Sequence, residues 1–552
     1  MSPLTFLIFI AFLPLLYLAD IVVNKRTFFL LTYLTMLTWN VTTTWWVWNS
    51  TDVGSVAAFV ANSLIMCLPW WGYRVCKRNF GSRLGYAALI LFWMGFEYIH
   101  LNWQLSWPWL TLGNVFASHP DWVQWYEYTG ASGGTLWVMA VNVLIYDIVK
   151  KYDVRSTKYE VSGSKYEVRG TKYEIRKIVA AAAVLVLPFI QSLIVKPNST
   201  PASPAYNVVI VQPNIDPYVK IDEGSVDQQV QTLLSLTNSS IDSSTKLVLW
   251  PETAMSAEGQ FEDRVFNFPD YSAGAKLGLS PEIPTANKNQ FVAKGLGFPS
   301  YKPIWQFTQS HPNITLVSGI ETYKNYGNQQ KTLTARAFSD GNGYYDAFNA
   351  AVALKAGTPP DFYHKSRLVP GVETLPDFLH FMAPVFEKFG GTTGGYGRQD
   401  EASIMQQPGQ PYVVAPIICY ESIYGEYVAS YVKKGANLLA IMTNDGWWGN
   451  TPGHKQHLQY ARLRAIETRR WVARSANTGV SAVINEKGEI LTTQPWAKAA
   501  VIKYNIPVLT GETFYVHYGD LLSKVALVLG GLLLLWHWVT LVRKRFSSQP
   551  QK

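Results

Sequence analysis

The chain has 552 residues and a net charge of +9 at pH 7. This length is sufficient for more than one domain, and the mean hydropathy of +0.03 averages over unlike parts. Residues 1–196 are largely apolar and rich in aromatic side chains, whereas 197–515 have the composition of a soluble domain. Part of the positive charge lies in short loops between apolar runs, so it does not indicate a nucleic-acid partner.

Seven apolar runs have about the 20 residues that a helix needs to cross the hydrocarbon core of a membrane. They are 1–20, 27–48, 53–73, 84–104, 123–149, 177–196 and 521–542. The sequence therefore predicts a multi-pass transmembrane α-helical bundle, with about six transmembrane helices in the membrane domain 1–196. Residues 516–552 are predicted to form a C-terminal transmembrane helix and a basic tail.

Basic residues occur only in alternate loops, which indicates how the helices are oriented. They lie at Lys25 and Arg26, in 74–83, in 150–177 and in the tail 543–545. The loops 49–52 and 105–121 contain no Lys or Arg. Because cytoplasmic loops carry the excess of positive charge, the basic loops and the tail are predicted to be cytoplasmic. The domain 197–515 is then predicted to be extracytoplasmic, facing the periplasm or an equivalent space.

Three features of the apolar part favour structural interpretations. Glu97 and Glu127 fall in or near predicted spans, where a charged group is costly and is often functional or paired. A buried structural hydrogen bond is the favoured interpretation for both. The Lys-Tyr-Glu triplet repeats every seven residues within 158–175, but three units broken by glycines are too short for a coiled coil. We interpret that segment as a linker without a catalytic role.

Residues 197–515 alternate between short apolar runs and candidate helices. The runs that predict strands lie in 206–215, 246–252, 314–321, 351–355, 412–421 and 437–448. Candidate helices lie between them, for example 222–238 and 454–470. Continuous apolar strands that are covered by helices are typical of a layered α/β sandwich.

Three polar residues stand where apolar runs end or shortly after one, and such positions often form active sites. They are Glu252, Lys365 and Cys419. Each has a structural alternative: a helix cap near Thr253 for Glu252, a solvated surface charge for Lys365, and a buried core thiol for Cys419. For each residue considered alone, the structural alternative is the favoured interpretation.

Taken together, the three residues fit acyl transfer through a thioester. A carboxylate can take the proton of a thiol that is mostly protonated at neutral pH. An ammonium group, aided by the backbone N–H of Tyr420, can stabilise the oxyanion that forms when the sulfur attacks a carbonyl group. The domain 197–515 contains no second cysteine, so Cys419 has no disulfide partner within it.

Three motifs in this domain resemble the catalytic blocks of the nitrilase, or carbon–nitrogen hydrolase, superfamily. They are LWPETA (249–254), HKSRLVPGVETLP (364–376) and CYESIYGE (419–426), and the similarity extends over 443–490. Several apolar helices before such a domain and one after it, together with WPWLTLGN (107–114), resemble the apolipoprotein N-acyltransferase family.

This resemblance implies a nitrilase-type αββα sandwich and a ping-pong acyltransferase. Such an enzyme moves a fatty acyl chain from a phospholipid, commonly phosphatidylethanolamine, to the N-terminal amine of a diacylglyceryl-cysteine apolipoprotein. By resemblance, Cys419 is the nucleophile, Glu252 the general base and Lys365 the group that stabilises the intermediates. Glu373, Tyr420 and Glu421 match further positions in or near the site. No metal or organic cofactor is implied.

The resemblance also implies a location, with a few departures from the family pattern. It implies a multi-pass protein of the bacterial inner (cytoplasmic) membrane. The sequence leaves the oligomeric state open, with a monomer as the default expectation. An aromatic-rich segment is common before the residue that Glu373 matches, but the sequence here is Gly371-Val372-Glu373-Thr374. Tyr218 and Ile221 stand near the place of a usual tryptophan. Members usually have eight helices, so seven runs fit a missing first helix or an alternative start.

Two alternative functions follow from the same residues. A membrane-tethered nitrilase-type amidase would use the same three groups to hydrolyse a small amide, although a small soluble substrate would not need membrane helices. A transporter or receptor would need a polar path through the helices, which offer few ionisable groups besides Glu97, His100 and Glu127. A lipid substrate favours an apolar lid, for which 381–397 is the candidate, with an ordinary surface loop as its alternative.

Overall fold

The computed structural model of the protein describes residues 4–159, 171–195, 200–201, 204–216, 225–266, 268, 299–382 and 395–547. Two compact units make up the chain. The first comprises Met1–Trp45, Val56–Lys196 and Tyr518–Lys552, and the second comprises Trp46–Ser55 and Pro197–His517. Most of the candidate lid (383–394), the centre of the repeat (160–170), Tyr218 and Ile221 lie outside the described residues.

The first unit is helical throughout its described secondary structure. The α-helices are Leu13–Ile21, Lys25–Thr44, Asp52–Phe80, Ser82–Asn102, Tyr126–Thr129, Ala131–Tyr159, Thr171–Ile194 and Leu521–Ser547. Short 3₁₀ helices lie at Thr5–Phe9, Pro108–Leu110, Leu112–Ser118 and Pro120–Trp122, and a further one, Trp45–Asn49, lies in the second unit except for its first residue. The helix Asp52–Phe80 begins inside the segment 46–55, which belongs to the second unit.

Five of the described helices are long and apolar enough to cross a membrane. They are Asp52–Phe80, Ser82–Asn102, Ala131–Lys150, Ile175–Ile194 and Leu521–Arg543. The first predicted run forms a shorter apolar segment, Thr5–Ile21. The second predicted run forms the helix Lys25–Thr44, whose threonines lower its hydropathy. The helices support a multi-pass membrane protein, with fewer long apolar helices than the seven predicted runs.

Several polar side chains of the first unit have hydrogen-bond partners within it. In the helix Lys25–Thr44, Thr32 donates to the Phe28 carbonyl and Thr35 to the Leu31 carbonyl, both at 2.8 Å. Glu97 is buried and accepts bonds from the indole of Trp93, the backbone N–H of Leu112 and the hydroxyl of Thr135. Since buried polar groups need such partners, these contacts support the structural interpretation of Glu97.

The described part of the second unit contains strands that we number in chain order. They are β1 (Thr200–Pro201), β2 (Tyr206–Gln212), β3 (Thr245–Leu249), β4 (Met255–Phe261), β5 (Thr315–Gly327), β6 (Arg336–Ala337), β7 (Tyr344–Leu354), β8 (Asp361–His364), β9 (Met405–Gln406), β10 (Val413–Ile418), β11 (Leu438–Thr443), β12 (Trp471–Ala476), β13 (Ala482–Ile484), β14 (Ile490–Thr493), β15 (Ala500–Ile506) and β16 (Leu509–Thr510).

Two large sheets arise from these strands. One sheet has the order β15-β2-β3-β5-β7-β6, with β4 paired to β5 and β8 paired to β7. The other sheet has the order β14-β13-β12-β11-β10-β9. Parallel pairs occupy the centre of each sheet: β2 with β3 and β3 with β5 in one, and β10 with β11 and β11 with β12 in the other. The pair β1 and β16 forms a separate two-stranded sheet.

Helices cover both sheets, so the second unit is a four-layer αββα sandwich. The longer helices are Ser225–Asn238, Lys302–Ser310, Gly425–Lys433 and Pro452–Thr468. The first two pack on one sheet, where Leu233 and Ile304 join Val248 in a buried core. The last two contact the other sheet. The two sheets face each other, and Ser475 of β12 donates to the Val211 carbonyl of β2 at 2.7 Å.

This architecture confirms the predicted fold class and explains the unbroken apolar runs. All six residues of β11 are buried, because helices cover one face of its sheet and the other sheet covers the second face. Each fully buried large aliphatic side chain contributes roughly 1.5–3 kcal/mol to folding. The carboxyl ends of β3 and β10 supply two turns of special geometry, at Pro251–Thr253 and at Cys419.

The turn after β3 fits only because residue 319 of β5 is glycine. A Cβ atom at Gly319 would lie 2.6 Å from the Cα of Glu252, the carbonyl oxygen of Pro251 and the backbone nitrogen of Thr253. The Gly319 N–H also donates to the Pro251 carbonyl at 3.1 Å. Backbone atoms on both sides leave little room for adjustment.

We therefore expect Gly319→Ala to lower stability by roughly 1–3 kcal/mol through overpacking. The measurement is the thermal unfolding midpoint of the detergent-purified protein. Gly531→Ala is the control, because a Cβ at that position meets nothing within 4 Å. Equal midpoints for Gly319→Ala and the parent protein would contradict this account of the turn.

Candidate active site

Cys419 occupies a strained turn between a strand and a helix. It follows β10 directly, and its φ of 47° lies in the left-handed region that residues other than glycine rarely adopt. The 3₁₀ turn Cys419–Ile423 then leads into the helix Gly425–Lys433. Such strain clusters at functional sites, because the surrounding structure must hold it in place. The thiol is free, and the residue is 9% exposed.

Hydrogen bonds fix the backbone of this turn. The carbonyl oxygen of Cys419 accepts a bond from the hydroxyl of Ser422 at 2.8 Å and lies 3.1 Å from Nε2 of His457. The N–H of Ile418 donates to Oε2 of Glu421 at 2.9 Å. The position of Sγ is thus set by contacts on both sides of residue 419.

Glu252 follows β3 and lies buried at 6% exposure. Oε1 accepts bonds from Nδ2 of Asn349 at 2.9 Å and from Nζ of Lys365 at 3.2 Å. Oε2 accepts the backbone N–H of Asn444 at 3.0 Å. No helix begins near Thr253, since β4 follows at Met255, so the helix-cap alternative for Glu252 is wrong.

Lys365 lies at the end of β8 and is 1% exposed, so the solvated-charge alternative is wrong. Nζ donates to Oε1 of Glu373 at 2.9 Å as well as to Glu252. Burial acts to lower the pKa of Lys365, but the charges of Glu373, Glu252 and Cys419 outweigh it and raise the pKa well above its usual value. Lys365 is therefore a charged ammonium throughout the ordinary pH range.

Asn349 of β7 joins the two carboxylates and is a residue that sequence reasoning missed. Its Nδ2 donates to Oε1 of Glu252 and to Oε1 of Glu373, each at 2.9 Å. The backbone carbonyl oxygen of Asn349 accepts a hydrogen bond from the backbone N–H of Lys365 at 2.9 Å. The available signal was a single amide within the otherwise apolar run that follows Phe348. Oε2 of Glu373 is held by the N–H of Val369 at 2.8 Å.

The Cys419 thiol is protonated in this environment. Burial raises the pKa of Cys419 well above its usual value, and the neighbouring charge of Glu252 raises it further. The Lys365 ammonium and a hydrogen bond with Thr443 act in the opposite direction without cancelling these effects. The thiol needs a nearby base to become a nucleophile, and the carboxylate that raises its pKa is a suitable proton acceptor.

The side chain of Glu421 accepts hydrogen bonds from two separate segments of the chain. Oε1 accepts the hydroxyl of Tyr363 at 2.6 Å, the N–H of Ser366 at 2.8 Å and the N–H of Arg367 at 3.2 Å. Oε2 accepts from Ile418, so this side chain joins the loop of Lys365 to the turn of Cys419. Burial raises the pKa of Glu421 to about 7, although its hydrogen-bond donors act to lower it. Tyr420 is buried, and its ring packs against Tyr424 at 5.3 Å between centroids.

A second buried charge network lies next to the Cys419 turn, and sequence reasoning missed it. Asp445 accepts bonds from Arg474 at 2.7 Å and from Thr443 at 2.8 Å, and Oδ1 lies 2.9 Å from Nδ1 of His457. Burial acts to raise the pKa of Asp445, but Arg474 and His457 hold it well below the usual value. These residues come from β11 and the turn after it, the helix Pro452–Thr468 and β12, so only the folded sheet assembles them.

The structure thus brings Glu252, Lys365, Glu373 and Cys419 into one site, with Glu421 beside it. A buried thiol, a carboxylate base and an ammonium group can perform nucleophilic attack on an ester or amide carbonyl group. The arrangement is that of an acyl-transfer or amide-cleaving site.

Comparisons with known families agree with this chemistry. Residues 207–514 match the carbon–nitrogen hydrolase family, and residues 2–144 match the N-terminal domain of apolipoprotein N-acyltransferases. An apolipoprotein N-acyltransferase from Chlorobaculum tepidum is 29% identical over 549 residues, which are 98% of this chain and 92% of that protein. One from Pseudomonas paraeruginosa is 25% identical over 92% of this chain and 86% of that protein.

Among solved structures, an amidase from a Nesterenkonia species covers 55% of this chain and 91% of its own, at 14% identity and a TM-score of 0.33. A nitrilase-superfamily protein from Saccharomyces cerevisiae covers the same shares at 14% identity and a TM-score of 0.35. The carbon–nitrogen hydrolase match alone spans more than half of the 552 residues. This chain therefore belongs to the carbon–nitrogen hydrolase family and, within it, to the apolipoprotein N-acyltransferases.

Proposed function

We propose that the protein transfers a fatty acyl chain from a membrane phospholipid, through a thioester on Cys419, to the N-terminal amine of a diacylglyceryl-cysteine apolipoprotein. One observation carries the proposal: a buried carboxylate, ammonium and thiol are assembled in a chain that also has apolar helices of membrane-spanning length. Because each buried CH₂ of an acyl chain is worth about 0.8 kcal/mol, a diacyl lipid does not leave the bilayer readily. A membrane-anchored enzyme avoids that cost.

In the first half-reaction, Glu252 takes the proton of the Cys419 thiol while the sulfur attacks the ester carbonyl carbon of the phospholipid. The carbonyl oxygen becomes an oxyanion, which the Lys365 ammonium and the Tyr420 backbone N–H stabilise. The tetrahedral intermediate collapses to the thioester, and the C–O bond to the lysophospholipid breaks. The leaving alkoxide recovers the proton from Glu252, which returns the base to its starting state.

In the second half-reaction, the α-amine of the apolipoprotein attacks the thioester carbonyl carbon. Glu252 accepts a proton from the nitrogen, and the oxyanion again lies beside the Lys365 ammonium. The C–S bond breaks, the amide product leaves, and the thiolate regains the proton from Glu252. The lone pair of the nucleophile must be free, so the acceptor reacts as a neutral amine.

Glu373 and Asn349 hold the side chains of Glu252 and Lys365 in position. Glu373 shares the ammonium of Lys365 with Glu252, and Asn349 donates to both carboxylates. A buried base with two donors and a shared counter-ion has little freedom to rotate away from the sulfur. Proximity of this kind supplies a large part of the rate enhancement of enzymes.

The proposal also includes the identity of the donor lipid, the oligomeric state and the location of the protein. The phospholipid donor is phosphatidylethanolamine, and the enzyme acts as a monomer in the bacterial inner membrane with residues 197–515 in the periplasm. The distribution of Lys and Arg among the loops supports this orientation. Hydrolysis of a small amide uses the same three groups, and no observation on this chain favours it. The test that follows separates the two reactions.

Intact-mass spectrometry after incubation with phosphatidylethanolamine should find one added fatty acyl group on the parent protein and none on Cys419→Ala. The cysteine sulfur is the only atom in the proposed mechanism that carries the acyl group. Cys67→Ala is the matched control and should retain the adduct, because Cys67 is a buried thiol outside the site. A diacylated lipopeptide should remove the adduct, and rapid loss to water alone would favour the amidase.

Lys365→Met should slow alkylation of Cys419 by iodoacetamide at pH 8. The ammonium lowers the pKa of the thiol, so its removal raises that pKa further and leaves less thiolate at any pH below it. Alkylation is followed by peptide mass spectrometry against time. Lys434→Met, which removes an exposed ion pair with Glu401, should react at the parent rate. Faster alkylation of a Lys365→Met protein that remains folded would contradict the electrostatic role of Lys365.

Asn349→Ala should reduce the rate of thioester formation by about tenfold or more, since about 1.4 kcal/mol of lost transition-state stabilisation corresponds to a factor of ten. Asn349→Asp should be slower still, because a third carboxylate would face Glu252 and Glu373. The rates are measured in single-turnover experiments. Asn342→Ala alters an exposed turn and serves as the control. Parent-like rates in both Asn349 variants would remove this residue from the mechanism.

A further inference from the structure

A ten-residue segment from the N-terminal part of the chain belongs to the catalytic unit. Residues 46–55, which we call the strap, group with Pro197–His517 rather than with the helices on either side of them in sequence. Trp46 of the strap is fully buried, whereas its neighbour Trp48 is 54% exposed. A buried tryptophan between two exposed ones, Trp45 and Trp48, indicates a specific contact.

That contact is with the turn that follows β11. The rings of Trp46 and Trp448 meet edge to face with centroids 4.8 Å apart. Trp46 also lies against Gly453, where a Cβ atom would come within 2.5 Å of its ring. Nδ2 of Asn49 donates to the carbonyl oxygen of Trp448 at 2.9 Å. The strap therefore holds the turn by a ring contact, a close backbone approach and a hydrogen bond.

The same turn contacts Glu252 directly and is connected to the backbone of Cys419 through His457. The N–H of Asn444, at its start, donates to Oε2 of Glu252 at 3.0 Å. The ring of Trp448, at its end, packs on His457 with centroids 5.5 Å apart. Nε2 of His457 lies 3.1 Å from the carbonyl oxygen of Cys419. A displacement of this turn would move the base and the backbone of the nucleophile together.

We propose that Trp46 is a positioning residue for acyl transfer. By packing against Trp448 and Gly453, it fixes the turn 444–449, and this turn orients Glu252 directly and Cys419 through His457. The inference rests on the proposed function, because its effect is on the rate of thioester formation.

Reaction rates are sensitive to such placement. A misplacement of about 1 Å caused by a distant substitution can cost about a hundredfold in rate. Asp445 and Asn444 have further partners in Arg474 and Asn477, so loss of the strap contact should loosen the turn without unfolding the sheet. A partial loss of rate is therefore expected rather than complete inactivity.

The test uses the full-length protein in phosphatidylethanolamine vesicles and compares Trp46→Ala with the parent, Trp46→Phe and Trp48→Ala. Single-turnover thioester formation gives the chemical rate, and steady-state assays with a diacylated lipopeptide give kcat and KM. Trp46→Ala should lower the rate of thioester formation and kcat about tenfold, with KM changed less than about twofold. Trp46→Phe should recover most of the rate, because a ring still fills the site, and Trp48→Ala should match the parent.

Parent-like kcat in a folded Trp46→Ala protein would overturn the inference, as would a change in KM alone. Asn49→Ala provides a second variant, because it removes the hydrogen bond to the carbonyl oxygen of Trp448 and leaves the Trp46 ring in place. It should lower the rate of thioester formation severalfold. If Trp46→Ala does not fold, a normal rate in Asn49→Ala overturns the inference. Absence of a thioester in the parent protein would instead refute the proposed function itself.

Discussion

The buried ammonium of Lys365 is the interaction on which the rest of the site depends. Two carboxylates, Glu252 and Glu373, lie within hydrogen-bond distance of it in a region that water hardly reaches. Without the ammonium, two buried negative charges would repel each other, and removal of one partner from a buried ion pair is strongly destabilising. The ammonium thus allows Glu252 to remain a base at this depth. In the proposed mechanism the same charge also stabilises the oxyanion, so one group would serve both folding and chemistry.

The sandwich makes this arrangement possible because each sheet supplies different parts. Glu252, Asn349 and Lys365 come from or follow strands of the sheet that contains β3, β7 and β8, whereas Cys419 follows β10 of the other sheet. The distance between Glu252 and Cys419 is therefore set by sheet-to-sheet packing. Close-packed interiors resist small displacements, and loops alone would not give comparable precision. Glu421 adds a direct connection, since it accepts bonds from the loop of Lys365 and from β10.

The sequence allowed the strands, the layered fold and the principal site residues to be predicted, because their signals are local. Cys419 and Glu252 each lie at or just beyond the end of an apolar run, where site residues are often found. Asn349, Asp445 and His457 were missed because their roles depend on neighbours that only the sheet order and the strand registers determine. Trp46 was missed for another reason. It lies within the apolar run 27–48, and that run predicts a membrane helix. Composition does not distinguish a tryptophan that faces lipid from one that faces a protein turn.

The strap also bears on how the protein can be divided. The sequence invites a cut near residue 196, where the apolar part ends and a polar domain begins. A fragment made by that cut would lack Trp46 and would leave the faces of Trp448 and Gly453 without their cover. The catalytic unit is thus discontinuous in the gene. A recombination event that exchanged the polar domain alone would separate residues that fit each other, so the two parts of the chain are constrained to evolve as a pair.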